Sequence, residues 1–304
     1  MRTIVAACSM FLLVLSSAHA QDEMAQLDGL ITKYAPAIVT VKAVLKTESR
    51  MGGQAQESRI NLTGALVSPD GLVMISNTPF SPMRAMEMMG MPAEMQGEMG
   101  LKATPTSLKI VVGNEEKEYD GFLAATDTNL DLAFIKMEGL GDRTLPFVDF
   151  GMGTSALVGQ KVAQVNRLGR GYDYAPFFQT ARVNGEIAKP RTAWMLEGDV
   201  STFGLPVFGM TGDVIGVLTT IPSGVKEQGD SEGIGMTMVM RMLGGGGGSP
   251  MGSFVLPAAV VKALVEQAKV RAVEVAAERA KPKPKESSQT KPPAKPPAKP
   301  KTGK

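Results

Sequence analysis

Residues 63–78 read Thr63-Gly64-Ala65-Leu66-Val67-Ser68-Pro69-Asp70-Gly71-Leu72-Val73-Met74-Ile75-Ser76-Asn77-Thr78. Two short apolar runs, Leu62–Ser68 and Leu72–Ser76, flank Ser68-Pro69-Asp70-Gly71. The four-residue stretch is a turn signal, and the flanking runs have strand length and β-rich composition. Strand, tight turn and strand are therefore predicted.

The same pattern recurs outward. Ala37–Leu45, Leu108–Val112, Leu132–Met137, Lys161–Val165 and Val214–Thr219 are further predicted strands, broken by Gly, Pro, Asn and Asp. Many short strands without intervening helical periodicity predict an all-β barrel or sandwich, not βαβ units. Pro257 opens the one clear helical pattern. Val260, Val261, Leu264, Val265 and Ala268 fall on one face at three- and four-residue spacing, while the later turns are mostly charged and are expected to project into solvent.

The two ends differ from the middle. Arg2, the apolar run Ile4–Leu15 and Ala18-His19-Ala20 have the form of a secretory signal peptide, so residues 1–20 are expected to be removed and the protein exported to the periplasm, the cell envelope or the extracellular space. The apolar run is shorter than the ~20 residues that span a bilayer. Residues 281–304 carry eight lysines, seven prolines and one acid, a composition that predicts a disordered, solvated tail. Its charge of +7 leaves residues 21–280 at about −6 once Arg2 is set against the chain total of +2. A folded part with that charge excludes a nucleic-acid partner. The tail could serve as a salt-sensitive tether to an anionic envelope surface.

The only cysteine, Cys8, and the only histidine, His19, lie in the predicted leader. Residues 21–280 then form no disulfide and no thiolate or imidazole zinc site. They also lack the commonest general base.

Three stretches, in order, resemble the protease domain of the HtrA/Deg family of trypsin-like serine proteases. Residues 63–78 are similar to its Gly-Ser-Gly, strand, Ser-Pro-Asp-Gly, strand, Thr-Asn-Asn-His pattern. Thr126-Asp127-Thr128-Asn129-Leu130-Asp131-Leu132-Ala133-Phe134-Ile135-Lys136 is similar to Thr-Asp-x-x-x-Asp-Leu-Ala-Val-Leu-Lys. Ser201-Thr202-Phe203-Gly204-Leu205-Pro206-Val207-Phe208, followed by Gly212-Asp213-Val214-Ile215-Gly216-Val217, is similar to Gly-Asn-Ser-Gly-Gly-Pro-Leu and Gly-x-Val-Ile-Gly-Ile. Weaker echoes at Ala35–Val39, at Leu145–Phe150 with Val158–Val162, and at Phe254–Pro257 extend the resemblance over roughly residues 26–270. It implies a chymotrypsin-like double six-stranded β-barrel with a C-terminal helix, without the family's usual PDZ domains. It also raises homo-oligomer formation, since family members often trimerise.

Carried over residue by residue, the resemblance places the base position on Thr78, the acid on Asp131 and the nucleophile on Phe203, with Ser201 and Gly204 in the oxyanion loop. Serine-protease chemistry needs a nucleophile, a base, an orienting acid and oxyanion donors. A threonine hydroxyl does not accept a proton usefully near neutral pH, and phenylalanine has no nucleophilic atom. Asp131 without an imidazole is expected to cap a turn or bond backbone. Ser201 stands where the family has a glycine, whose positive φ a serine adopts only at a cost, and Leu205 replaces a second glycine. Ser201 and Thr202 remain as alternative nucleophiles, but no lysine has a motif that places it beside them.

Two stretches interrupt the strand pattern and read as inserted loops. Residues 83–99 hold seven methionines, and residues 236–251 hold five around Gly244–Gly248. Met91, Met95 and Met99 are spaced as on one helix face and are the candidate binding residues. Thioethers suit Cu(I), yet Gly90, Pro92, Gly97 and Gly100 argue against a rigid site. An adaptable apolar contact surface is favoured, and no metal or cofactor is expected. Trp194 is expected in the core, and Arg167, Arg170, Tyr172 and Tyr174 in a solvated loop.

The favoured function is an exported pseudoprotease that binds a peptide or protein or scaffolds a complex. An active serine endopeptidase with non-standard residues and an envelope structural protein held by its basic tail are the alternatives.

Overall fold

A computed structural model describes residues 22–50, 54–82, 84, 86, 100–222 and 251–281. The expectations for the leader, for Met91, Met95 and Met99, for Gly244–Gly248 and for the tail beyond 281 lie outside the described residues.

Twelve strands close into two antiparallel barrels. The first contains β1 (Ile38–Glu48), β2 (Gln56–Leu66), β3 (Leu72–Ser76), β4 (Lys102–Val112), β5 (Glu118–Asp127) and β6 (Leu132–Met137), in the order β1-β2-β3-β6-β5-β4. The second contains β7 (Lys161–Arg167), β8 (Pro176–Ile187), β9 (Ala193–Gly198), β10 (Pro206–Gly209), β11 (Val214–Pro222) and β12 (Met251–Pro257), in the order β10-β11-β12-β9-β8-β7. This is the chymotrypsin-like architecture. Closure removes every unpaired sheet edge that an open sheet would expose.

The Ser68-Pro69-Asp70-Gly71 turn forms as its residues dictate. Gly71 takes φ +83°, and an added Cβ would lie 2.5 Å from the Leu140 side chain. Its N–H donates to the Ser68 carbonyl at 3.2 Å, and Leu72 N–H donates to Ser68 Oγ at 3.0 Å. Leu66 then pairs with Val73 and Ala65 with Met74.

Two helices tie the barrels together. Residues 22–34 form α1. Its Leu27, Leu30 and Tyr34 are buried, and the Tyr34 ring stacks on Phe208 of β10 with centroids 3.9 Å apart. Thus a helix preceding the first barrel docks on the second. The second helix, α2 (Ala258–Ala280), leaves the second barrel and runs along the first. Ala258, Val261, Val265, Ala268 and Ala272 face inward. The expectation that its later turns project into solvent is corrected. Ala272 is buried, Val275 packs on the core, and Arg279 lies over the Phe122 ring at 4.8 Å.

The insertions are also narrower than the sequence suggested. Met251 is already the first residue of β12. Arg84 and Met86, within the first insertion, are helical and buried rather than looped out. Trp194 lies in the core as expected.

Arg167 is a second correction. It is not a solvated loop residue but ends β7 half-buried, and its guanidinium donates to the carbonyls of Ile38 (2.8 Å), Ala35 (2.6 Å) and Tyr174 (2.8 Å). Burial pulls its pKa below the ordinary value. Tyr174 is buried as well, whereas Arg170 and Tyr172 are exposed. The loop splits because Arg167 turns its guanidinium onto carbonyls at the barrel junction, while Arg170 and Tyr172 stay on the surface.

Candidate functional site

The three positions implied by the family resemblance are assembled from both barrels. Thr78 follows β3, Asp131 precedes β6, and Phe203-Gly204 precede β10. Asp131 is fully buried and takes φ 52°, a left-handed backbone that aspartate adopts more readily than most non-glycine residues. Its main chain accepts from Asn77 N–H at 3.0 Å.

The carboxylate serves two hydroxyls. Thr78 Oγ1 donates to Oδ1 and Ser76 Oγ donates to Oδ2, each at 2.8 Å. Thr78 therefore stands in hydrogen-bond reach of Asp131, as a donor. Its hydroxyl has no basic nitrogen to relay a proton onward. The expectation that Asp131 would mainly cap a turn or bond backbone is refined: its side-chain bonds run chiefly to these hydroxyls. Burial raises the Asp131 pKa above its ordinary value, and the two hydroxyls, with the positive charge of Arg84, offset this only in part.

The loop at 201–205 is held by bonds of its own. Among the described non-glycine residues, left-handed backbone occurs at Asp131, Asp173 and Tyr174, not at Ser201. Ser201 is exposed, and its Oγ accepts from Gln179 Nε2 at 3.2 Å. Thr202 N–H donates to Gln164 Oε1 at 3.2 Å, and Thr202 Oγ1 accepts from Asn166 Nδ2 at 2.6 Å. Gly204 N–H donates to the Leu218 carbonyl at 2.8 Å. The Phe203 ring packs against the second barrel's apolar cluster, which includes Val162, Trp194 and Leu218. Leu205 is fully buried.

At Gly204 the two barrels are in close contact. The glycine takes φ +81°, and an added Cβ would lie 2.1 Å from the Ser76 backbone nitrogen and 2.5 Å from the Ile75 carbonyl carbon. Only glycine fits both the backbone angle and the space. Nearby, Thr219 Oγ1 of β11 donates to the Leu130 carbonyl. Arg84 Nη2 reaches the Thr220 carbonyl at 3.0 Å and Thr220 Oγ1 at 3.2 Å.

The structure thus brings Thr78 beside Asp131 and Gly204 against the Ser76 backbone. Ser76, Thr219, Thr220, Gln164, Asn166 and Arg84 complete the seam and were not read from the sequence. Arg84 carried one usable signal, a single arginine among seven methionines. Among the described residues no group of three or more His, Cys, Asp or Glu side chains comes together to hold a metal. No described helix is long and apolar enough to cross a membrane.

No protein-family model and no curated protein matches the chain. Among solved structures, the chain is similar to the MamO protease domain from Magnetospirillum magneticum, at 16% identity and a TM-score of 0.42 over 75% of this chain and 95% of that one. It is also similar to Deg5, at 20% identity and a TM-score of 0.44 over 65% of this chain and 85% of that one.

Proposed function

We propose that this chain is an exported, non-catalytic protease homologue that binds a peptide or protein in the cell envelope. The observation that carries the reading is at Thr78. In hydrogen-bond reach of the buried Asp131 stands a hydroxyl, and the sequence from residue 21 onward contains no histidine to take its place. Phe203 removes the nucleophile as well. What survives triad loss in a serine protease is mostly oxyanion stabilisation and substrate binding, about 10³–10⁴ over water. Here the oxyanion loop departs from the needed backbone at Ser201, so binding is the remaining capacity. The Lys/Pro-rich residues 281–304 add a cationic segment suited to an anionic envelope surface.

Two measurements test this. A fluorophosphonate probe is expected to label no serine of the mature protein, and labelling at one defined serine overturns the non-catalytic reading. Affinity capture from the native envelope, with and without residues 281–304, is expected to retain an intact polypeptide partner in both forms. Capture lost with the tail alone would support the tethered structural alternative.

A further inference from the structure

The chain has six asparagines, Asn61, Asn77, Asn114, Asn129, Asn166 and Asn184, and glycine follows only the last. Asn184 and Gly185 lie in β8 at an irregularity of the second barrel. Val183 pairs with Leu196 of β9 and Gly185 with Met195, so the register shifts and Asn184 is the extra residue of a bulge. On the other side of β8, the ladder to β7 ends at Arg182. Asn184 is exposed, and its side-chain amide makes no hydrogen bond among the described residues. Asn166, by contrast, is buried, with its amide held by Thr202 Oγ1 and the Arg167 N–H.

We propose that Asn184-Gly185 is a self-modifying site, where the asparagine converts to aspartate and isoaspartate with water as the one co-reactant. The Gly185 main-chain nitrogen attacks the Asn184 side-chain carbonyl carbon. The new C–N bond closes a five-membered imide, and the side-chain nitrogen leaves as ammonia with the proton from Gly185. Water then opens the ring. Opening at the side-chain carbonyl leaves aspartate. Opening at the main-chain carbonyl leaves isoaspartate, with the chain rerouted through the side-chain carbon. Nothing is oxidised or reduced. Attack requires the main chain to turn out of the extended form, which a regular ladder resists and a bulge permits. A Cβ on the following residue hinders its nitrogen, and glycine has none. Asn61, Asn114 and Asn129 are exposed as well, but Leu62, Glu115 and Leu130 follow them. Aspartate adds a negative charge between Arg182 and Glu186, which are exposed at alternate positions of the same strand. Isoaspartate lengthens the main chain of β8 just before Glu186 pairs with Trp194, the chain's single tryptophan, and so loosens β8 from β9. The reaction asks nothing of the cleft and proceeds whether or not a polypeptide binds there.

The test incubates the full mature chain and its Gly185→Ala variant in neutral buffer made with heavy-oxygen water, and maps every asparagine by mass spectrometry. In wild type, labelled acid is expected at position 184 roughly ten-fold faster than at Asn61, Asn114 or Asn129, and Gly185→Ala is expected to slow it by about as much. An added Cβ at Gly185 meets only the flexible end of Met195, at 2.5 Å, so the variant is expected to fold. Conversion at 184 no faster than at the other exposed asparagines, or unaffected by Gly185→Ala, overturns the proposal. If the variant does not melt cooperatively, wild type decides by a second comparison. Folded wild type is expected to convert within about ten-fold of the rate of the same chain unfolded in urea, and slower conversion overturns the bulge as the reactive geometry. The converted fraction, separated by its added charge, is expected to melt at a lower temperature than fresh protein when followed by Trp194 emission. An equal melt would overturn the loosening of β8 from β9.

Discussion

At the scale of single residues, the chemistry turns on Asp131 and its hydroxyl partners. Burial raises the native pKa of Asp131, so the fold holds the neutral acid better than the carboxylate. Its stabilising contribution is complete below the ordinary carboxylate value near 3.8 and is lost as pH rises through the higher native value. Asp131→Asn, which stays neutral, is therefore expected to gain in melting temperature relative to wild type as pH is raised from about 3 to 7. A difference that is flat or falls with pH contradicts this. Thr78→His with Phe203→Ser restores two side chains but not their setting. The Thr202 and Gly204 N–H groups already donate to Gln164 and Leu218, and Ser201 lacks the left-handed backbone. The double variant is expected to show no casein hydrolysis above wild type, and turnover that depends on the new serine would show that the loop rearranges. The identities of these positions were legible in the sequence because motif spacing survives substitution. Their partners were not. Gln164, Asn166 and Thr219 sit in strands whose polar residues read like any solvent-facing alternation, and only barrel closure turns them inward.

At the scale of elements, seven of the twelve strands were read at least in part, β3 and β6 in full, while β5, β8, β9, β10 and β12 were not named. The first half of β2, Gln56–Asn61, was missed because its residues are polar and mostly exposed. It is a strand only because β1 offers it a ladder from Lys42 to Thr47. Helix α1 was missed although Leu27, Leu30 and Tyr34 have helical spacing; Gly29 interrupts the pattern. Tyr34→Ala should test the docking of α1. It removes the stack on Phe208 and the bond from Tyr34 Oη to the Gly212 carbonyl, 2.6 Å long. A loss of roughly 3 kcal/mol is expected by chemical denaturation, in the range for buried aromatic truncation; a loss under about 1 kcal/mol would mean that α1 does not depend on this contact. Gly204→Ala forces a Cβ into the Ser76 backbone at positive φ, and overpacking with backbone strain is expected to cost roughly 3 kcal/mol or more. A neutral result would show that the loop and β3 separate easily.

At the scale of the whole molecule, the barrels are cross-tied. Helix α1 precedes the first barrel and packs on the second, while α2 follows the second and packs on the first. Arg167 joins the end of β7 to the carbonyls of Ala35 and Ile38, and Thr219 joins β11 to Leu130. Polar bonds of this kind join the two barrels. Thermal unfolding of the mature protein is accordingly expected as one cooperative transition by both near-UV and far-UV signals, and two separated transitions would show that the barrels are independent. The proposed loss of catalysis is itself chemical: by the family resemblance, a hydroxyl and a phenyl ring stand at the positions of base and nucleophile. The most direct measurement is mass-spectrometric digestion of a diverse peptide library by the mature protein across neutral pH, beside the same protein carrying Ser201→Ala and Thr202→Val. Cleavage indistinguishable between the two and from buffer is expected. Site-specific cleavage by the parent that disappears in the substituted protein would contradict the account.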